Sequence, residues 1–371
     1  MMIRVLHSSD LHLGKPFGRF GGDLPALLRE ARYLSLGRLA AAAREGGAQA
    51  VLLAGDTFDA ETPSPGTIRQ ALQAIREAED LTWVLLPGNH DSLAATDLWR
   101  RIAAEAPPNL RVATDANPIA VDGAQILPAP CTSRRPGRDL TATLDRPTED
   151  GAVRIGLAHG AVTDFSEEGD AAVIPPDRAE RSGLDYLALG DWHGQRRIGP
   201  RLWYSGTPEA DSFKHEAQAA ALLVEIAGPG AVPSVTPVPT GDYTWLSACR
   251  DFLPGEHPGD ALTALLPNAA ARRKTLFNLL ATGRMSLAER SALTAAIAEV
   301  EDDFAWFDAD LSRLGLHHDV TDLDRIDRAG ALRRAAEVLL DEAQNADLNG
   351  EDRAIAEAAL SLLYGIASEV A

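Results

Sequence analysis

The feature that most constrains the fold is a series of five apolar runs of strand length, each followed by a polar signature. The runs are IRVLH, QAVLLAG, LTWVLLPG, VRIGLAHG and LDYLALG, all within residues 3–190. Helical periodicity separates the first three runs, so the pattern predicts alternating strands and helices in a layered α/β domain. Because ligands in such folds collect at the carboxyl ends of strands, the polar signatures predict a site at that edge.

The five signatures share one kind of chemistry. They are, in chain order, Asp10-Leu11-His12, Gly55-Asp56 with Asp59, Gly88-Asn89-His90-Asp91, Ala158-His159-Gly160 and Gly190-Asp191-Trp192-His193. Aspartate, asparagine and histidine offer oxygen and nitrogen donors suited to Mn²⁺, Fe, Zn²⁺ or Mg²⁺, and no thiolate is among them. A carboxylate shared by two ions builds the arrangement that cleaves phosphate esters, and Asp56 is the predicted bridge.

Each of these residues has an ordinary structural explanation when it is taken alone. A single aspartate after a strand is usually a turn or helix-capping residue, and a lone histidine such as His159 is more often a buried structural residue than a ligand. The two-metal prediction therefore depends on the ordered set of five signatures.

The ordered set DLHLG, GDTFD, GNHD, AHG and GDWHG resembles the motifs of the calcineurin-like metallophosphoesterases. The segments SSDLHLG and WYSGTPEADSF resemble in particular the SbcD-like branch of DNA-repair exonucleases. The resemblance covers residues 1 to about 226. It implies an α/β (α+β) four-layer metallophosphoesterase fold, in which a β-sandwich is flanked by helices.

The resemblance also implies a ligand set for two divalent ions, with Mn²⁺ the first expectation. The implied ligands are Asp10, His12 and His193 for one ion, Asn89, His159 and Asp191 for the second, and Asp56 for both. His90 would contact the scissile phosphate and protonate or stabilise the leaving oxygen, with its other ring nitrogen oriented by Asp59. Asp91 would brace the loop.

The fifth signature departs from the family pattern, which usually has Gly-His-x-His where this chain has Gly190-Asp191-Trp192-His193. The additional carboxylate would favour harder ions such as Mn²⁺ or Mg²⁺ and weaken the Lewis acidity of the second ion. Trp192 would shape the groove or stack a base. Arg134 and Arg196 are candidate phosphate contacts, although a solvated surface role is an equal alternative for both.

The charge of the chain is unevenly distributed. Its 371 residues carry a formal net charge of −19, which argues against a nucleic-acid partner. Residues 285–371 contain 19 acidic and 7 basic residues, an excess of 12 negative charges, so the remainder is much closer to neutral. The acidic segment is expected to be a solvated helical surface or a docking surface for a protein.

The segment GPGAVPSVTPVPTG after Ile226 is the strongest predicted domain edge. It divides the chain into a phosphoesterase domain at 1–226, a linker and cap-like region at 227–284 and an acidic helical region at 285–371. The pattern from Leu262 onward is interpreted as helical. A capping box at Ser286 and Glu289 opens a run to Leu314, and two further helices are predicted near 329–345 and 351–369.

Cysteine usage and hydropathy bear on the compartment. Cys131 and Cys249 lie far apart without a CxxC pattern, which favours a reducing environment. The N-terminus has no apolar stretch of signal-peptide length, and no apolar run reaches about 18 residues. A cytoplasmic location without a membrane partner is expected.

The combined prediction is a two-metal phosphodiesterase that degrades DNA as an exonuclease or endonuclease in DNA repair. By resemblance, an SMC-like or AAA-type ATPase would be its partner, and a homodimer is a further expectation. Two alternatives remain open. One is an enzyme of the same fold acting on a small phosphodiester, a nucleotide or a phosphoprotein, which the acidic balance favours. The other is a non-catalytic scaffold whose metal site is degraded at Asp191.

Overall fold

The computed structural model describes residues 2–148, 151–162, 173–214, 218–316 and 330–370. The chain divides into two compact units, Met1–Thr244 and Trp245–Ala371. The interval 227–284, predicted as a linker and cap, is therefore divided between the two units.

The first unit is built from short strands and three longer helices. Its strands are β1 (Ile3–Ser8), β2 (Ala50–Leu53), β3 (Thr82–Leu85), β4 (Leu110–Val112), β5 (Ile119–Val121), β6 (Ala124–Ala129), β7 (Val153–His159), β8 (Tyr186–Gly190), β9 (Arg196–Arg197), β10 (Leu202–Tyr204), β11 (Ala220–Ile226) and β12 (Ser234–Pro239). Its helices are α1 (Leu24–Glu45), α2 (Pro65–Glu77), α3 (Thr96–Glu105) and α4 (Arg178–Arg181), with a 3-10 helix at Thr141–Asp145.

These strands form two six-stranded sheets. The first sheet has the order β12-β11-β1-β2-β3-β4, in which β1, β2, β3 and β4 run parallel and β11 and β12 pair antiparallel at one edge. The second has the order β5-β6-β7-β8-β10-β9, with a parallel centre from β6 to β10. In both sheets, the carboxyl ends of parallel strands thus lead into the segments that carry the polar signatures.

Three apolar clusters hold these layers together. One lies between the sheets and includes Val5, Leu52 and Ile155. A second packs α1, α2 and α3 against the outer face of the first sheet, and a third covers the outer face of the second sheet. The predicted four-layer β-sandwich flanked by helices is confirmed.

The helix boundaries follow local sequence signals. The α1 helix is followed by Gly46 and by Gly47, which has a φ of 66°. At the start of α2, the Ser64 hydroxyl accepts a hydrogen bond from the Thr67 amide at 3.1 Å, and Pro65 occupies the first helical position.

The predicted linker contains an edge strand. Within GPGAVPSVTPVPTG, β12 pairs antiparallel with β11, and Pro237 and Pro239 lie opposite Leu222 and Ala220. Proline is tolerated there because the outer edge of a sheet requires no amide donor.

The second unit contains a three-stranded sheet and several helices. Its elements are β13 (Thr244–Phe252), which begins at the unit boundary, α5 (Pro258–Thr263), α6 (Ala269–Arg272), β14 (Thr275–Met285), α7 (Leu287–Val300), a 3-10 helix at Glu301–Asp303, β15 (Trp306–Leu316), α8 (Ala331–Gln344) and α9 (Gly350–Val370). Strands β14 and β15 are parallel and enclose a core with Phe252, Phe277 and Leu293.

The continuous helical pattern predicted from Leu262 onward is wrong at two places, since β14 and β15 are strands. The Ser286–Glu289 capping box forms, but α7 ends at Val300 and Trp306–Leu316 is a strand. Short apolar runs are compatible with both a helix and a strand. The pairing of β14 with β15, which is a non-local contact, decides in favour of strands. The predicted final helices are present as α8 and α9, and residues 317–329 of the predicted helical region lie outside the described residues.

In the described part of the chain, none of the helices combines the length and apolar composition that crossing a bilayer requires.

Candidate metal centre

The strand ends of both sheets bring the predicted ligands together. Loops after β1, β2 and β3 carry the first three signatures, and the ends of β7 and β8 carry the other two. The loops after β1 and β2 are joined by several backbone hydrogen bonds, among them those from the Asp10 amide to the Gly55 carbonyl and from the His12 amide to the Asp56 carbonyl. The Asp10 carboxylate accepts the Asp191 amide at 3.2 Å, which links this group to the second sheet.

One half of the site is formed by Asp10, His12, His193 and Asp56. His12 Nε2 lies 3.2 Å from His193 Nε2 and 3.7 Å from Asp56 Oδ2. One ligand atom from each of Asp10, His12 and His193 lies within 4.8 Å of the other two. Asp10, His12 and Asp56 are buried, so these donors face one another away from bulk solvent.

The other half is formed by Asp56, His159, Asp191 and Asn89. His159 Nε2 lies 3.5 Å from Asp56 Oδ2 and 3.7 Å from Asp191 Oδ1. The Asn89 amide nitrogen donates to Asp191 Oδ1 at 3.3 Å, which leaves its carbonyl oxygen as the available ligand atom. All seven predicted ligands therefore belong to one continuous cluster.

Asp56 occupies the centre of this cluster. Its Oδ1 accepts the His90 amide at 2.8 Å, while Oδ2 faces His12 on one side and His159 on the other. Burial raises the pKa of this carboxyl, but His159 and His12 more than offset that effect and hold the pKa of Asp56 well below its ordinary value. The side chain is thus an ionised carboxylate with one oxygen directed between the two halves.

Carbonyl acceptors orient two of the histidine rings. His159 Nδ1 lies 2.8 Å from the Ala54 carbonyl, and His90 Nδ1 lies 2.9 Å from the Asp59 carbonyl. A carbonyl oxygen only accepts, so Nδ1 is the protonated nitrogen in both rings and Nε2 is directed to the site.

Asp59 contacts two histidines, one through its backbone and one through its side chain. Its backbone carbonyl orients His90, whereas its carboxylate lies 3.2 Å from His12 Nδ1. The Asp59 amide donates to the Leu13 carbonyl, and this contact holds the loop after β2 beside the loop that carries His12.

Asp91 braces the loop after β3. Its carboxylate accepts the Gly88 amide at 2.7 Å and the Phe58 amide at 3.0 Å. Burial and the nearby Asp56 carboxylate raise the pKa of Asp91 to about 7.

The backbone is strained at four of the predicted ligands. Positive φ angles occur at Asp10 (55°), His12 (42°), Asp56 (52°) and Asp191 (104°). Such conformations cost about 1–3 kcal/mol each for residues other than glycine and persist where surrounding contacts enforce them. Their concentration at the ligand cluster favours a functional role for its geometry.

Two glycines make room for the cluster. A Cβ on Gly88 would lie 2.1 Å from Asp56 Oδ1, and a Cβ on Gly55 would lie 2.3 Å from His159 Nδ1. Gly55 also has a φ of 92°, a conformation that side chains rarely adopt.

The donors fit divalent cations. His159 Nε2 and Asn89 Oδ1 are buried and have no hydrogen-bond partner among the described residues. Burial raises the pKa of Asp191, and repulsion from Asp10 and Asp56 raises it further despite the opposing effect of His159 and His193. Burial opposes protonation of His159, but attraction by Asp56 and Asp10 outweighs it and raises the pKa of His159 above its ordinary value. Concentrated negative charge beside unpaired oxygen and nitrogen donors is the environment that such ions stabilise.

The predicted substrate contacts lie on the surface. Arg196 is exposed on β9, with its guanidinium carbon 5.9 Å from the centre of the Trp192 ring. Trp192 packs against the apolar cluster behind the second sheet, and Arg134 is exposed on the loop that follows Cys131. The Cys131 thiol lies 3.5 Å from the carbonyl of His159.

Sequence reasoning missed a buried carboxylate behind the site. Asp211 Oδ1 lies 3.1 Å from His193 Nδ1, and Lys15 donates to Asp211 Oδ2 at 2.5 Å. Asp211 lies within WYSGTPEADSF, several residues after β10 and outside the five strand-end signatures. Its segment stood out in the sequence only through its resemblance to the nuclease branch, which gave no role to this residue.

Comparison with known proteins yields one family model, that of the calcineurin-like phosphoesterases, which matches residues 3–195. An uncharacterized metallophosphoesterase of Bacillus subtilis (strain 168), YhaO, is 27% identical over 241 residues, which is 60% of this chain and 57% of that protein. The chain thus spans little more than half the length of this relative. The crystal structure of TT1561 of Thermus thermophilus aligns with a TM-score of 0.40 and 11% identity, over 64% of this chain and 99% of that one.

Proposed function

The chain belongs to the calcineurin-like phosphoesterase family, and we propose that it is a two-metal phosphodiesterase that hydrolyses DNA. The observation that carries the two-metal part is the position of Asp56 Oδ2, 3.7 Å from His12 Nε2 and 3.5 Å from His159 Nε2. One carboxylate oxygen between two sets of donors matches what a shared ligand of two ions requires.

The ions would be held in two sets that share Asp56. The first set is Asp10, His12, His193 and Asp56, and the second is Asn89, His159, Asp191 and Asp56. Two divalent ions bound there would supply an activated water and neutralise the charge that develops on the phosphoryl oxygens. The oxygen-rich second set, with Asp191 in place of the family histidine, favours Mn²⁺ or Mg²⁺ over softer ions.

His90 is placed to move a proton. Its Nδ1 donates to the Asp59 carbonyl, and its ring lies edge-on to His12 with the ring centres 4.7 Å apart. In the protonated ring, Nε2 donates to the oxygen that leaves phosphorus, and the Asp59 carbonyl holds the ring in that orientation. Such a contribution is typically about 10²–10⁴-fold in rate.

DNA is proposed as the substrate from the resemblance to DNA-repair nucleases and from the surface beside the site. Trp192 lies between Asp191 and His193 in the sequence, and the guanidinium carbon of Arg196 lies 5.9 Å from the centre of its ring. An aromatic ring next to a guanidinium suits a stacked base and its phosphate. The acidic net charge favours the small-phosphodiester alternative, so both substrates belong in one experiment.

The test is Mn²⁺-dependent hydrolysis of end-labelled double-stranded and single-stranded DNA and of a small phosphodiester. The variant is His90→Ala, and the matched control is His257→Ala, which removes a histidine whose side chain is 75% exposed in the second unit. DNA cleavage that is lost in the His90 variant and under chelation supports the nuclease. Cleavage of the small ester alone would assign the alternative substrate, and the absence of both activities with metal bound would favour the scaffold.

We further propose that an SMC-like or AAA-type ATPase docks on α8 and α9. These acidic helices bury Leu360 and Tyr364 against Leu287 and Leu316. They also expose large apolar side chains: Leu332, Val338, Ile355, Leu362 and Ile366. Exposed apolar side chains on one helical pair are a common feature of protein-binding surfaces.

The partner proposal is tested with surface substitutions, because truncation at 285 would remove β15 from its sheet. The double variant Ile355→Glu and Leu362→Glu should abolish co-purification with the ATPase without changing thermal unfolding. Arg353→Glu adds negative charge to the same helix as a control. Undiminished co-purification of the double variant would exclude this surface.

A further inference from the structure

Asp211 is a buried carboxylate whose two oxygens have different partners. Oδ1 lies 3.1 Å from His193 Nδ1, and Oδ2 accepts from Lys15 Nζ at 2.5 Å. The guanidinium of Arg32 lies behind, with Nη2 4.0 Å from Oδ2. The side chain of Asp211 is 2% exposed, so these contacts are made with little competition from water.

The segment that carries Asp211 is attached to the loop that carries Asp10. Arg32 is buried and donates to the Glu209 carbonyl at 2.8 Å and to the Asp10 carbonyl at 2.9 Å. The Thr207 hydroxyl also donates to the Asp10 carbonyl at 2.9 Å, and its amide donates to the His193 carbonyl at 3.0 Å. Asp211 is therefore fixed relative to His193 by several contacts.

We propose that Asp211 is the positioning residue for His193, holding the hydrogen on Nδ1 so that the lone pair of Nε2 faces His12 and Asp10. The inference rests on the proposed metal site, in which His193 is a ligand. A histidine ligates through an unprotonated nitrogen, and a carboxylate at the other nitrogen fixes both the tautomer and the ring orientation.

Lys15 makes the negative charge of Asp211 necessary. An ammonium group only donates, so whichever atom of residue 211 faces Lys15 must be an acceptor. Aspartate satisfies Lys15 and His193 together because both of its oxygens accept. In Asp211→Asn the amide oxygen is held by Lys15, and the amide NH₂ then faces His193 Nδ1. Nδ1 of His193 must then accept a hydrogen bond from the amide, so the ring hydrogen moves to Nε2, the proposed ligating atom.

The first readout is the tautomer of His193 in the full-length, metal-free protein at alkaline pH, measured by long-range ¹H–¹⁵N imidazole spectra. The His193→Gln variant assigns its signal among the nine histidines. We expect the Nδ1–H form in the unsubstituted protein and the Nε2–H form in Asp211→Asn. Asp80→Asn is the matched control, since Asp80 is paired with Arg44 at the surface.

The second readout is Mn²⁺ affinity by calorimetric titration. Asp211→Asn should weaken one of the two binding events about 10–100-fold, the range typical for loss of such a partner. In the double variant Asp211→Asn and Lys15→Met, the amide oxygen of residue 211 is free to face His193. This variant should recover the Nδ1–H tautomer and part of the Mn²⁺ affinity.

The outcomes separate this inference from the proposed function. An unchanged tautomer and unchanged Mn²⁺ affinity in Asp211→Asn, with two ions bound by the unsubstituted protein, would overturn the role of Asp211 alone. An unsubstituted protein that binds no Mn²⁺ would overturn the metal site itself, whatever the tautomer.

Discussion

Gly88→Ala is predicted to impair the proposed phosphodiester hydrolysis through a single methyl group. The new Cβ would lie 2.1 Å from Asp56 Oδ1, 2.3 Å from the Asp56 amide nitrogen and 2.8 Å from its Cγ. Asp56 cannot rotate away freely, because Oδ1 is held by the His90 amide and its backbone has a φ of 52°. The clash therefore falls on the carboxylate that we propose is shared by the two ions.

The size of the effect follows from the required movement. Restoring even a 3.0 Å separation needs a relative shift of about 0.9 Å between residue 88 and Asp56. Displacement of a catalytic group by 1 Å can cost on the order of 10²-fold in rate, and overpacking a close-packed site costs about 1–3 kcal/mol of stability. We expect a fall of about 10²-fold in phosphodiester hydrolysis and weakened binding of both ions.

The assay pairs urea unfolding with Mn²⁺ titration and hydrolysis of a small phosphodiester. Gly37→Ala is the control, because a Cβ at that position in α1 meets nothing within 4 Å. This control should retain activity, and its free energy of unfolding should rise by about 0.5–1 kcal/mol, as expected for replacing a helical glycine by alanine. A Gly88→Ala protein with unchanged rate and two tightly bound ions would refute the reasoning.

Two further predictions concern a buried histidine and the departure from the family pattern. Burial lowers the pKa of His7 to about 3, although a hydrogen bond to the Leu189 carbonyl acts in the opposite direction. Below pH 6.5, the ordinary pKa, the ring therefore gains a proton in the unfolded chain but stays neutral in the folded protein. Stability should then fall by about 1.4 kcal/mol per pH unit below 6.5, and urea unfolding of His7→Phe should lack this slope; parallel pH curves would contradict the assignment. Asp191→His removes a carboxylate from the second set and should shift preference from Mn²⁺ towards Zn²⁺ in a competition titration, whereas an unchanged preference would show that Asp191 does not set metal choice.

Local signals account for what the sequence predicted well. The capping box at Ser286 and Glu289 and the strand ends that carry Asp10 and Asp56 each depend on residues near one another in the chain. Glycine, proline and capping hydroxyls act within a few residues, and the carboxyl ends of parallel strands must meet at one edge of a sheet. The ligand cluster was therefore predictable as a group.

Non-local contacts account for what the sequence did not predict. The β15 strand is extended because it pairs with β14, although a capped helix precedes it in the chain. Asp211 reaches His193 through the fold of a loop that has no strand-end signature. The carboxylate of Asp59 faces His12 because the loops after β1 and β2 pair through their backbones.

The proposed metal centre depends on one carboxylate, Asp56, that is shared by two ions. Electron paramagnetic resonance of the protein loaded with two equivalents of Mn²⁺ tests it directly, because two ions joined by a common ligand give an exchange-coupled spectrum. We expect a coupled spectrum for the unsubstituted protein and loss of the coupling in Asp56→Asn. A spectrum of isolated Mn²⁺ ions in the unsubstituted protein, or coupling that persists in Asp56→Asn, would contradict it.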